Sequence, residues 1–279
     1  MTVRQWLLWA EQQLRDAGVP EPRLDAELLL AHALRADRSW LIAHADDPLP
    51  EIASLDEMLV RRRAREPLAY ILGYREFWGR RFMVGPGVLV PRQETECLVE
   101  TALEVIPADR PVSVLDFGTG SGCIGITLQL ERPEWRLDAT DVSPTALHWA
   151  RLNAETLGAP IRLRRVEQVA SLPPSSFDWI VTNPPYVALG EALQPEVTDW
   201  EPHEALFAGP TGYEFFEFLA STSHSVLRPG GGLLTEIGAG QEEGVITRFE
   251  AHGWTHAASR SDLSGFTRVL GFKRPTAAP

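Results

Sequence analysis

Over residues 1–73, apolar positions return every three or four residues, the period of a helix with one buried face. Trp6, Ala10, Leu14 and Ala17 form the first such stripe, and Gly18 with Pro20 ends it. Leu28, Leu29, Ala31 and Leu34, then Leu55, Met58 and Leu59, supply further apolar faces between proline-containing turns. The pattern predicts a small N-terminal helical bundle over 1–73, with no chemistry of its own.

After Gly73 the period changes. Phe82-Met83-Val84 and Val88-Leu89-Val90 flank Gly85-Pro86-Gly87, which predicts a β-hairpin inside a linker spanning 74–92. The remaining chain, 93–279, alternates strands with helices. Strands are predicted at 112–117, 135–141, 161–166, 177–182 and 231–237, and that alternation predicts a parallel, doubly wound α/β sheet. Thr255–Ala258 and Phe266–Gly271 read as two more strands with no room for a full crossover helix between them. The last strand is therefore expected to run antiparallel.

Composition narrows the class without naming a function. Hydrophobic residues make up 44% and charged residues 23%, which is ordinary for a globular protein and argues against disorder. No stretch approaches the ~20 apolar residues of a membrane helix. Glu11, Arg15 and Asp16 follow the first apolar run directly, so it does not read as a leader, and no membrane association is expected. Cys97 and Cys123 are too few for a disulfide framework or a zinc cage, so both are expected in the core of a reduced, cytoplasmic protein. The histidines show no metal-ligand spacing, and no metal is expected. A net charge of -12 opposes a phosphate-gripping surface, so no direct nucleic-acid partner is expected. The basic cluster Arg61, Arg62, Arg63 and Arg65 reads chiefly as a solvated helix face, with a partner-binding patch as the alternative.

Candidate chemistry begins at Val112–Gly122, a buried strand running into a glycine-rich turn, after which Cys123-Ile124-Gly125-Ile126 opens a helix. Glycines at alternate positions let a ligand pack against bare backbone, and the helix N-terminus supplies free N–H groups. Asp141 ends the next strand, where a carboxylate can accept from both hydroxyls of a ribose. Two readings compete here. Gly120 to Gly125 matches the G-x-G-x-x-G of a dinucleotide dehydrogenase, with Asp141 near the expected spacing. Asp116-Phe117-Gly118-Thr119-Gly120-Ser121-Gly122 instead resembles the acidic-x-G-x-G-x-G signature of class I methyltransferases, which bind a nucleoside without a pyrophosphate.

The segment Phe177–Tyr186 decides between them. A buried strand ends at Asn183, and Pro184 with Pro185 stiffens an extended turn. In a doubly wound sheet this carboxyl end faces the ligand crevice. The lone pair of a planar NH₂ group is delocalised, so that nitrogen attacks poorly. The Asn183 side-chain carbonyl and the Pro184 backbone carbonyl can accept both N–H bonds, orient the nitrogen and stabilise its developing positive charge. Tyr186 can pack its ring on the planar group. A dehydrogenase gives this loop no role, so the reading becomes methyl transfer to a planar nitrogen. A sulfonium donor needs neither a metal nor a catalytic His or Cys.

With these motifs the chain resembles, over nearly its whole length, the N5-glutamine methyltransferases of peptide chain release factors, the PrmC/HemK family. Pro67–Gly73 and Arg75-Glu76-Phe77-Trp78-Gly79 are similar to the family's interdomain signature, and Val90–Glu96 to its pre-motif segment. Glu201-Pro202 with Ala205-Leu206 is similar to its post-motif element. The resemblance implies a class I methyltransferase fold: a Rossmann-like doubly wound sheet with an antiparallel last strand, plus the N-terminal helical domain, which would help hold the substrate. It implies S-adenosyl-L-methionine as donor, S-adenosyl-L-homocysteine as product, and the glutamine of the Gly-Gly-Gln tripeptide of class 1 release factors as acceptor. Asp116, Gly118, Thr119, Gly120, Ser121, Gly122 and Asp141 would hold the cofactor. Asn183, Pro184, Pro185 and Tyr186 would hold the glutamine amide, with Asn183 also near the methyl donor. Near the adenine the family often pairs an acid with an aromatic residue; here the pair is Glu167-Gln168, which keeps the acid and loses the aromatic platform.

The alternatives are a glutamine methyltransferase of a ribosomal protein, a nucleic-acid adenine or cytosine N-methyltransferase, and a non-catalytic nucleoside-binding module. The interdomain segments favour the release factor over the ribosomal protein. The acidic charge and the lack of chain for a target-recognition domain after Tyr186 oppose nucleic acid. The intact Asn-Pro-Pro-Tyr opposes a binding module. A monomer is expected. Ala188–Phe207, long and interrupted by proline, reads equally as a gating loop or a passive connector.

Overall fold

The computed structural model describes residues 1–274. The chain divides into two compact units, one formed by Met1–Tyr74 with Leu193–Trp200, the other by Arg75–Ala192 with the chain from Glu201 onward. Among the described residues no helix is long and apolar enough to cross a membrane.

The first unit is helical: α1 Val3–Asp16, α2 Pro22–Leu34, α3 Arg38–Ala43, α4 Ala53–Arg63 and α5 Leu68–Leu72. Thr2 starts α1 with a capping box: its hydroxyl accepts from the Gln5 N–H, while the Gln5 side chain accepts from the Thr2 N–H. The predicted stripe Trp6, Ala10 and Leu14 is buried with Leu29, Leu30, Leu55, Met58 and Leu59 in one apolar core. Each fully buried side chain of this size contributes roughly 1.5–3 kcal/mol.

Of the basic cluster only Arg63 is a solvated side chain; Arg61, Arg62 and Arg65 are not. Arg62 is buried, with its Nε 2.6 Å from Asp25 and its Nη2 3.0 Å from Glu196. Arg65 pairs with the same Glu196, and Arg61 pairs with Glu66. Glu196 lies on a short helix, Pro195–Thr198, inside the returning segment Leu193–Trp200. The expectation failed because local pattern cannot register a carboxylate that arrives from 134 residues away.

The hairpin of the second unit also differs from expectation. Strands β1 Tyr74–Phe77 and β2 Arg80–Met83 pair through Trp78-Gly79, where φ is 51° and 67°. Two consecutive positive φ values match the right-handed twist of paired strands. Gly85-Pro86-Gly87 is not a hairpin turn: Val84, Val88 and Val90 are all buried, and the Val90 N–H donates to the Glu201 carboxylate rather than to a strand.

The α/β alternation holds. Strands β3 Ser113–Phe117, β4 Arg136–Asp141, β5 Arg162–Arg165, β6 Phe177–Thr182, β9 Leu227–Glu236, β10 Thr255–Ser261 and β11 Thr267–Lys273 form one sheet in the order β10-β11-β9-β6-β3-β4-β5. β11 runs antiparallel between β10 and β9, and the remaining neighbours are parallel. The predicted strand at 231–237 starts earlier, at Leu227. Two short strands, β7 Val187–Ala188 and β8 Phe207–Gly209, close the segment between them by pairing with each other.

Both faces of the sheet are covered. Val114, Leu137, Trp179, Val181 and Leu234 pack on one side with residues of α6 Glu96–Val105, α7 Cys123–Glu131 and α8 Pro144–Leu157. Their strand neighbours Leu115, Ile180 and Leu233 pack on the other with α10 Glu214–Thr222 and α11 Glu242–Ala251, numbered after the short helix α9 Pro195–Thr198. That two-residue alternation is the pleat of a sheet buried on both faces.

Candidate functional site

The reversal of strand order lies between β3 and β6, where crossovers diverge and leave a crevice at the carboxyl ends. A cavity of about 210 Å³ opens there, far above the roughly 10–15 Å³ that one water needs. Gly118, Thr119, Gly120, Ser121, Asp141, Glu167, Asn183, Pro184 and Pro185 all line it. The two motifs, distant in sequence, thus share one cavity. Cys123 also lines it, and burial pushes its thiol up to about 12, so it stays protonated. Cys97, by contrast, is only half-buried rather than a core residue.

The glycine loop is held from below by Asp116. Its Oδ2 accepts from the Thr119 hydroxyl at 2.6 Å and from the Gly125 N–H at 2.9 Å. A Cβ on Gly125 would lie 2.8 Å from that oxygen, so only glycine lets α7 sit this close. Burial pushes the Asp116 carboxyl up to about 6, opposed by these two donors. Asp116 is therefore a fixing point for the loop and does not line the cavity. Gly122 starts α7 with φ 84°, and it too lies off the wall.

Gly118 has φ 76°, and a Cβ there would meet nothing within 4 Å, so the missing side chain leaves open space at the cavity wall. Asp141 receives the Gly120 N–H at 2.9 Å and the Ser143 N–H at 2.9 Å, one on each oxygen. Burial raises its pKa against those donors. A carboxylate anchored by backbone on one side and open to the cavity on the other can accept from a diol. Val142 and Val166 add apolar wall, as a planar heterocycle requires. Glu167 lines the cavity and Gln168 does not.

At the opposite wall, Asn183 follows β6 and donates its Nδ2–H to the Thr95 hydroxyl at 3.1 Å. Pro184 and Pro185 continue the wall. Tyr186 does not line the cavity: its ring joins the apolar core and its hydroxyl donates to Glu236 at 3.2 Å. Gln241 holds the Tyr186 carbonyl at 3.0 Å. A buried acid, Glu201, gathers the wall further by accepting from the Val90 N–H and from Arg92.

Glu236, Gln241 and Phe215 were missed in the sequence. Glu236 had a signal, since it ends a buried strand, as Asp141 does and Asp116 nearly does. Thr95 lies within Val90–Glu96, where no local pattern distinguishes it. What united them is spatial convergence across four elements.

Comparison with known proteins agrees with this fold. Residues 5–73 match the family model of the PrmC N-terminal domain, and residues 93–199 match that of the methyltransferase small domain. The chain is 42% identical over 281 residues to the release factor glutamine methyltransferase of Koribacter versatilis, covering 99% of this chain and 100% of that one. It is 44% identical over 273 residues to its counterpart in Cereibacter sphaeroides, covering 96% and 97%. Among solved structures, a methyltransferase from Pyrococcus furiosus superposes with a TM-score of 0.54 at 16% identity, covering 80% of this chain and 100% of that one, which is a likeness of fold.

Proposed function

Since this chain belongs to the release factor glutamine methyltransferase family, we propose that it transfers a methyl group from S-adenosyl-L-methionine to the N5 amide nitrogen of the Gly-Gly-Gln glutamine of class 1 release factors. The observation that carries the reading is that Asn183, Pro184 and Pro185 line the same cavity as Gly118–Ser121 and Asp141. Donor and acceptor would then meet without either leaving its wall.

The residues fit the donor. The side-chain-free face at Gly118 would admit a close ligand, Asp141 would accept from the ribose hydroxyls, and Val142 and Val166 would flank the base. When bound, S-adenosyl-L-methionine supplies a methyl on a sulfonium, which departs as a neutral thioether and needs no acid. Asn183 and the Pro184 carbonyl accept from the two amide hydrogens of the glutamine. That grip orients the nitrogen toward the donor and stabilises positive charge as it grows. The apolar prolines and Phe117 on the wall would strengthen those hydrogen bonds by limiting access of water. Tyr186 serves from behind, as a strut between the loop and β9.

The test is mass spectrometry of a purified class 1 release factor after incubation with the protein and S-adenosyl-L-methionine. One added methyl on the Gly-Gly-Gln glutamine is expected. An unmodified release factor beside a methylated ribosomal protein would keep the chemistry and move the substrate.

A further inference from the structure

Resting on the reading that S-adenosyl-L-methionine is the donor, we propose that Arg92 receives the α-carboxylate of the donor's amino-acid tail. Two segments, 90–96 and 201–206, stand out in the sequence without a chemical role of their own. The fold joins them at the cavity. The buried Glu201 carboxylate accepts from the Val90 N–H at 2.9 Å and from Arg92 Nη2 at 2.5 Å. Arg92 in turn lines the cavity.

The shape of the donor gives the cavity a direction. Its base leaves the ribose at C1′ and its amino-acid tail at C5′, so the two extend to opposite sides of the sugar. Asp141 ends β4, and Val142 and Val166 lie beyond β4 and β5. With the ribose at Asp141 and the base against those valines, the tail would cross the β3 glycine loop toward β6. Arg92 stands at that end. Its carbonyl accepts from the Thr95 N–H at 3.3 Å, and the Thr95 hydroxyl accepts from Asn183, just past β6, at 3.1 Å.

Charge selects the same residue. Among the described residues that line the cavity, Arg92 is the one cation, whereas Asp141, Glu167 and Glu204 are acids. A carboxylate laid elsewhere along the wall would meet their repulsion. The guanidinium carries five N–H groups in a planar fork, and Glu201 takes one of them. The Arg92 side chain is 32% exposed and that of Glu201 is 1% exposed, so the anchor is buried while the rest of the fork is open. A fork placed in advance by a buried partner has less freedom to lose when a ligand arrives. Its remaining N–H groups suit a carboxylate, which accepts two parallel charge-assisted bonds.

The test is isothermal titration with S-adenosyl-L-homocysteine and with S-adenosyl-3-thiopropylamine, which lacks only the carboxylate. The wild type should bind the first about ten- to hundredfold more tightly. Arg92→Met keeps an apolar stem and removes the charge. It should shrink that preference to within about threefold by weakening S-adenosyl-L-homocysteine, with the decarboxylated ligand's Kd held within about threefold. Arg92→Lys should keep part of the preference, because it restores the charge without the fork. An equal loss for both ligands would make Arg92 a structural residue and overturn the proposal. So would a preference left unchanged in Arg92→Met, even if release-factor methylation falls. If the methionine variant does not fold, NMR of the wild type decides. The Arg92 side-chain N–H signals should shift with S-adenosyl-L-homocysteine and stay put with the decarboxylated ligand; signals that ignore both reject the proposal. A wild type that binds neither ligand removes the donor reading, and the proposal with it, a failure distinct from a missing preference.

Discussion

The helical unit and the sheet's carboxyl edge both bury carboxylates, and they treat them differently. In the helical unit each such acid faces a guanidinium: Asp25 meets Arg62, Glu66 meets Arg61, and Glu196 meets Arg62 and Arg65. At the sheet edge Asp116, Asp141 and Glu236 face neutral donors, namely a threonine and a glycine N–H, two backbone N–H groups, and a tyrosine. A full counter-charge fixes structure but occupies the carboxylate. Burial raises the Asp25 carboxyl as it raises Asp116, Asp141 and Glu236, so the difference is not one of pKa: neutral dipoles leave lone pairs free to act on a ligand or a neighbour. Glu201, paired with Arg92 yet also holding the Val90 N–H, belongs to the first kind while sitting in the second unit.

The largest effect should come from the sheet edge. Asn183→Ala should reduce turnover by about a hundred- to thousandfold while cofactor binding largely survives, as isothermal titration beside a methylation assay would record. Unchanged turnover would remove Asn183 from the mechanism. On the other side of the comparison, Arg62→Met strands Asp25 and half-strands Glu196, and should destabilise the protein by about 3 kcal/mol in urea denaturation. A loss under about 0.5 kcal/mol, the level of a surface pair, would show that the guanidinium is not holding the unit together.

Glu236 predicts a pH-dependent change of opposite sign. Its folded pKa, about 7, exceeds the ordinary glutamate value of 4.5, so the favourable protonated state is fully present below 4.5 and lost as pH rises through 7. Glu236→Gln lacks that loss. It should match the wild type in stability near pH 4.5 and exceed it by about 2–3 kcal/mol above pH 7. A pH-independent difference would mean the carboxyl does not titrate in this window. The smallest effect should be at Gln168, which lies off the cavity wall: Gln168→Ala should change cofactor Kd by less than about twofold. A tenfold loss would place that side chain on the ligand.

Much of the α/β unit was legible in the sequence because its signals are local. Strand β6 ends where the apolar run meets two prolines, and the glycine turn announces itself by residue type alone. The hairpin was displaced because its turn is Trp78-Gly79. Tryptophan at the first turn position hides a two-residue connection normally signalled by Asn or Gly, whereas Gly85-Pro86-Gly87 carries turn residues without a turn between strands. The place of Tyr186 beside Pro185 points to a substrate platform, whereas its ring packs against the core beside β9.

What the sequence determined unaided was therefore set by neighbours along the chain: the helical stripe of α1, the strand–helix alternation, and the two motifs at strand ends. What only the tertiary structure decided was the pairing of charges and dipoles. Asp25, Arg62 and Glu196 find one another across 37 and 134 residues, and Thr95, Asn183 and Glu236 converge from different elements. The physical reason is range. Backbone preference and hydrophobic period act over a few residues, whereas a buried charge is settled by whichever group the folded chain brings within about 3 Å.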